Sequence, residues 1–218
     1  RTDTLNVDVN RQNAKAYCML KEYKTSVNRY EALKAMGDRS FTTLYYLGVS
    51  QYADNWPYGA RDNLLEAHKK NPMDVNVLYY LAKACARSSW KEEGIAYMNK
   101  AFDMVVPTDS MMIRLYDGLL ECYKFHTKAD PYEKIEVMKE AYSYTKRYTL
   151  FYQIAEIYDY QKDYVNAVHY YEKYMALVPK NKQTALDSEG NPLPNADTMY
   201  QKARRRVEKI KVEDFFRN

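Results

Sequence analysis

Between Phe151 and Tyr174 the apolar residues fall three and four apart: Phe151, Ile154, Ala155 and Tyr158 in one run, then Tyr164, Ala167, Tyr171 and Tyr174 in a second. That spacing gathers them on one face of a helix. The two runs predict a helical hairpin, and Pro179, which cannot continue a helix, stops its second arm. The pattern also echoes upstream at an offset of 34 residues. Leu47-Gly48 aligns with Leu81-Ala82, Tyr46 with Tyr80, Ala60 with Gly94, Leu64 with Met98 and Ala67 with Ala101. A fixed period of this length predicts an array of similar units stacked side by side, not a single closed core.

Five units cover residues 7–181, at about 7–40, 41–74, 75–108, 109–147 and 148–181. The second reads Leu44, Leu47-Gly48, Ala60, Leu64, Ala67 and Pro72, with Gln51 where an aromatic residue is expected; the third reads Leu78, Leu81-Ala82, Cys85, Gly94, Met98, Ala101 and Pro107. The first is degenerate, since Asn10 and Asn13 stand at apolar positions, although Ala14, Tyr17, Tyr23, Ser26, Tyr30 and Leu33 fit. The fourth keeps Tyr116, Leu119-Leu120, Tyr123, Met138 and Ala141 but carries two extra residues within Thr127–Pro131. Asp130-Pro131 reads as a cap followed by Pro at the first helical position, so the insertion lengthens a turn and spares the helix. Turns are expected near Gly37, Asn55, Asn71, Ser89, Pro107, Asp130 and Tyr148.

The fifth unit, Phe151-x-x-Ile154-Ala155-x-x-Tyr158 followed by Ala167-x-x-x-Tyr171 and Pro179, resembles the bacterial-type tetratricopeptide repeat. The resemblance implies an all-α fold, a right-handed α-solenoid of about five helical hairpins. Small residues such as Ala155 and Ala167 would stand where paired helices cross. It also implies a binding face, lined by the first helix of each hairpin. The corresponding positions here are Arg11 and Lys15; Tyr45, Val49 and Tyr52; Tyr79, Lys83 and Arg87; Asp117, Glu121 and Phe125; and Tyr152, Glu156 and Tyr160. That groove would be basic and aromatic in its N-terminal half and acidic and aromatic in its C-terminal half. Rigid Tyr side chains both pack and hydrogen-bond at interfaces, though the same spacing serves packing between neighbouring first helices. Relatives that grip the terminal carboxylate of chaperones carry a Lys and an Asn on the first hairpin, an Asn on the second, and a Lys and an Arg on the third. Here Tyr45, Tyr46 and Val49 occupy the second, so that clamp is broken.

After Pro179 the period ends. Residues 182–196 have the Gly, Pro and Asn density of a loop and lack the alternating acidic ligands of a calcium site. Asp197 then reads as the cap of a final helix, 197–213, whose Tyr200, Ala203, Val207 and Ile210 form one apolar stripe. Such a helix would shield the last hairpin. Its basic run Arg204-Arg205-Arg206 reads as a solvated face, without the stacking platform or module of a nucleic-acid binder.

Composition narrows the chemistry. There are 24 Tyr against 6 Phe and 2 Trp, so aromatic packing is done mainly by rings that keep a wet hydroxyl. The 33 basic and 29 acidic residues nearly balance, which argues against nucleic acid. Cys18, Cys85 and Cys122 are too scattered for a disulfide framework, and His68, His126 and His169 lack metal-ligand spacing, so no metal and no cofactor is expected. No run reaches the ~20 apolar residues of a membrane span. The chain starts at Arg1 with neither Met nor leader, so a processed N-terminus is expected and the compartment stays open between a bacterial cytoplasm and periplasm. No motif announces a catalytic pocket. A scaffold for a protein or peptide partner is the expected function; the alternative is a carbohydrate- or envelope-associated subunit whose groove tyrosines stack on sugars.

Overall fold

The structure, a computed structural model, describes residues 6–184, 189 and 198–215. Among the described residues the regular elements are all helical. They are α1 (Val7–Met19), α2 (Tyr23–Ala35), α3 (Phe41–Ala53), α4 (Pro57–Lys70), α5 (Val75–Ala86), α6 (Lys91–Asp103), α7 (Asp109–Phe125), α8 (Pro131–Thr145), α9 (Thr149–Tyr160), α10 (Tyr164–Leu177) and α11 (Met199–Phe215). The chain divides into two compact units, Arg1–Ala129 and Asp130–Asn218. The boundary falls inside the fourth predicted repeat, with α7 in the first unit and α8 in the second.

In the first unit α1 packs on α2, α3 on α4 and α5 on α6, and each second helix packs on the first helix of the next pair. The first helices also touch in series, α1 with α3, α3 with α5 and α5 with α7. They form one layer, called the inner layer here, with α2, α4 and α6 behind it. Side chains open every helix of the inner layer: Asn6, Ser40, Asp74 and Thr108 each accept from backbone N–H groups of the first turn. The second helices α4 and α6 begin instead at Trp56 and Trp90, 34 residues apart, with no side-chain cap.

Small residues set the spacing between helices. A methyl group on Gly94 of α6 would lie 2.8 Å from the Ala82 carbonyl oxygen and 3.1 Å from the Ala86 nitrogen, both backbone atoms of α5. Gln51, where an aromatic ring was expected, is buried and accepts from Asn63 Nδ2 at 2.8 Å while donating to Glu31 at 2.8 Å. Lys34 Nζ donates to Asn63 at 2.8 Å, so α2, α3 and α4 are joined by a polar seam. A ring at position 51 would deprive Glu31 of this donor and leave Asn63 Nδ2 with only the Gly59 carbonyl.

In the second unit α8 packs on α9, α9 on α10 and α10 on α11. Phe151, Ile154, Tyr158, Tyr171 and Tyr174 share one core with Ala203, Val207 and Ile210 of α11. Ala155 and Ala167 are fully buried within it. Asp130 accepts from the Tyr132 N–H at 2.7 Å, so Asp130-Pro131 opens α8 as its sequence predicts.

Some expectations change. Asp197 and most of 182–196 lie outside the described residues. Thr198 does the capping of α11: its Oγ1 accepts from the Gln201 N–H at 3.2 Å and its carbonyl from the Lys202 N–H at 2.9 Å. The helix runs on to Phe215, past the expected end at 213. The turns inside the first and fifth hairpins, after α1 and after α9, pass through Lys21 at φ 64° and Lys162 at φ 62°. Both use the left-handed conformation that Gly or Asn usually signals, as Asn55 does after α3.

Candidate functional site

The carboxylate of Glu121, on α7, gathers donors from two other inner-layer helices. Tyr52 Oη of α3 donates to Oε1, as does Arg87 Nε of α5 at 2.7 Å, and Lys83 Nζ of α5 lies 3.0 Å from Oε2. The Tyr52 and Glu121 side chains thus meet across α5. Burial works against ionised Glu121, but Tyr52, Lys83 and Arg87 outweigh it and hold its pKa below the usual range. Burial likewise opposes the Lys83 charge, and the adjoining Tyr79 and Glu121 raise its pKa despite that.

Rings floor the cations. Lys83 Nζ sits 4.9 Å from the Tyr52 centroid and 5.0 Å from that of Tyr79, and Arg87 sits 4.5 Å from Tyr52 and 5.7 Å from Phe125. At such distances the ring quadrupole attracts the cation and helps hold it in place. Six of the expected groove residues, Tyr52, Tyr79, Lys83, Arg87, Glu121 and Phe125, are therefore one cluster. Within the cluster, acidic Glu121 sits between basic Lys83 and Arg87 and offsets one of their charges. The signal was present, because Arg87 and Glu121 are one 34-residue period apart and equivalent positions of stacked units are neighbours.

The remaining first-unit positions are more local. Arg11 is bound by Asp8 at 2.6 Å and Asp38 at 2.9 Å. Lys15 lies 5.2 Å over Tyr46. Tyr45 stacks on Phe41 and meets Tyr46 and Tyr80 edge-on, and burial raises its pKa. Arg114 was missed: it lies 4.4 Å over Tyr79 and donates to Asn76 at 2.8 Å. It stands seven residues before Glu121, two helical turns back on the same face, so periodicity could have found it.

Tyr152, Glu156 and Tyr160 lie on α9 in the second unit. Tyr152 is buried against Tyr171 and Tyr174. Glu156 has its pKa raised by burial, an effect that a hydrogen bond from Tyr152 partly offsets. Tyr160 is 86% exposed. The arginine run is less solvated than expected, because Arg206 is drawn from it into a two-pronged ion pair with Asp159.

Among the described residues no group of three His, Cys, Asp or Glu could hold a metal ion, and no helix is long and apolar enough to cross a membrane. The three cysteines are buried thiols, and burial pushes Cys85 up to about 11 and Cys122 to about 12.

No family model and no curated protein sequence matches the chain. Solved structures do. The C-terminal part of a TPR repeat-containing protein from Cytophaga hutchinsonii superposes with a TM-score of 0.69 at 18% identity, covering 94% of this chain and 72% of that one. MamA gives 0.64 at 15% identity over 78% of this chain and 90% of its own. YrrB, described as a TPR protein with an unusual peptide-binding site, gives 0.61 at 13% identity over 78% and 86%. The fold is thus the all-α solenoid of tetratricopeptide repeat proteins.

Proposed function

We propose that the chain is a non-catalytic protein-interaction scaffold whose inner layer in the first unit binds an extended peptide segment or a helix. The observation that carries this reading is the Tyr52–Lys83–Arg87–Glu121 cluster. Three helices converge there on partly exposed charged groups whose cations rest on aromatic rings. Oriented cations and rings are what interfaces use as anchors. The likeness to YrrB adds support through the fold alone.

The sugar-stacking alternative loses ground to burial. Tyr52, Tyr79 and Tyr152 are only 7%, 8% and 9% exposed, so their ring faces are spent on neighbouring side chains. A test is to select peptides from a display library against the whole chain and compare binding to parent and Lys83→Glu/Arg87→Glu protein. Selected peptides should lose most of their affinity for the variant. Equal binding to both would remove the inner layer as the site.

A further inference from the structure

One face of α1 is bare where the next two first helices of the array are covered. Val9, Asn13, Ala16 and Leu20 follow at intervals of four, three and four residues, a stripe along one side of the helix, and all four are exposed. One period on, Thr43, Leu47 and Ser50 of α3 are wholly buried, and one period further so are Val77, Leu81 and Ala84 of α5. In α3 this face meets the preceding second helix: Leu47 shares a core with Val27, Tyr30 and Leu33 of α2, and Ser50 Oγ lies 2.9 Å from Ser26 Oγ. The stripe on α1 therefore continues the interface that stacks the repeats. It is also more apolar at its end than the other repeats are. Met19 and Leu20, each 69% exposed, stand where the next two repeats have Ala53-Asp54 and Arg87-Ser88, and Val9 is 53% exposed.

Each second helix is already packed on the helix that follows it, α2 on α3, α4 on α5, α6 on α7, α8 on α9 and α10 on α11, so copies stacking head to tail find no bare second helix for α1. We infer that the stripe docks on the same stripe of a second copy, the two α1 helices running antiparallel about a twofold axis. In that arrangement the stripe is self-complementary. Val9 of each copy comes opposite Leu20 of the other and Asn13 opposite Ala16, because both pairs are centred on the same point of the helix. The bulky pairs fill the two ends, and the small Ala16 beside the axis lets the helices approach closely. A slipped register sets the Asn13 amide against Val9 or Leu20, where it has no hydrogen-bond partner. None of the four residues is charged, so two copies of the stripe do not repel each other. One pair of helices buries less than the ~1,200 Å² of a stable complex, which makes the dimer a weak one that dissociates on dilution.

Sedimentation velocity of the whole chain across the micromolar range tests the dimer, and disulfide trapping tests its register. The parent should pass from monomer to dimer as its concentration rises. Ala16→Arg puts two charges beside the axis and should weaken the dimer by about tenfold or more, as should Leu20→Glu at its ends. Both positions are exposed in the monomer, so each variant should keep the parent's helical circular dichroism. For the register, Val9→Cys and Leu20→Cys proteins are oxidised separately and as a mixture. The mixture should cross-link and neither variant alone should, because like positions of antiparallel copies stand about 16 Å apart along the helix at 1.5 Å per residue. The native thiols Cys18, Cys85 and Cys122 are buried and do not compete.

A parent that stays monomeric at every concentration would overturn the proposal, as would a dimer that folded Ala16→Arg and Leu20→Glu proteins form as readily as the parent. Cross-linking of Val9→Cys alone would overturn the antiparallel arrangement, and species that keep growing beyond a dimer would contradict a closed pair.

Discussion

Arg206 of α11 donates from Nε and Nη2 to the two carboxylate oxygens of Asp159 on α9, each at 2.6 Å. The pair joins a helix that the repeat pattern does not contain to the first helix of the last repeat. A flat guanidinium matches a carboxylate in a way an ammonium cannot. Both side chains are partly buried, at 28% and 15% exposure.

Arg206→Met should therefore destabilise the second unit by about 1–2 kcal/mol, and Arg206→Lys should recover only part of that. Urea unfolding followed through the tyrosines of the α9–α11 core reads the difference. Equal stability of Arg206→Lys and parent would mean that charge alone, not the fork, holds α11.

Asp38 should govern a pH window. Burial pushes its pKa upward, but hydrogen bonds from Thr43, Ser40 and Arg11 overcome this and lower it from 3.8 to about 2. A carboxyl whose folded pKa is depressed contributes stability that is complete above its unfolded pKa and lost as pH falls through the folded one. The shift corresponds to about 2 kcal/mol at neutral pH. Asp38→Asn should be less stable than parent by that order at pH 7, and the two unfolding midpoints should converge as pH falls from about 4 to 2. A gap that is unchanged at pH 2 would assign the loss to shape, not charge.

The helical hairpins could be read in the sequence because their signals are local: the 34-residue echo of Leu47-Gly48 in Leu81-Ala82, and Asp130-Pro131 opening α8. The left-handed backbone at Lys21 and Lys162 could not, since nothing in a lysine announces it. Six positions of the candidate site were found by repeat register, yet their mutual pairing was not, because it depends on how α3, α5 and α7 are stacked. Gln51 looked like a defect in the pattern. Its role appears only with Glu31 and Asn63 beside it.

Gly94→Ala tests the closeness of α5 and α6. In an exposed helix the change would stabilise by about 1 kcal/mol. Here the added methyl meets backbone atoms at 2.8 and 3.1 Å, which cannot rotate away. A net loss of about 1–2 kcal/mol is expected from calorimetry or urea unfolding. A gain would show that the helices can separate at no cost.

The polar seam should behave as one group. Gln51→Leu leaves Glu31 without its amide donor and Asn63 with one acceptor fewer, at a cost of about 1–3 kcal/mol. Asn63→Leu should cost a similar amount, and the double variant distinctly less than the sum. Simple additivity would mean that the two amides act independently.

Hydrogen–deuterium exchange of the whole chain with and without a library-selected peptide, resolved by proteolytic fragment, shows directly which helices a bound segment covers. Protection should appear in α3, α5 and α7 around Tyr52, Lys83, Arg87 and Glu121. Protection confined to α2, α4 and α6, or to α11, would contradict binding on the inner layer.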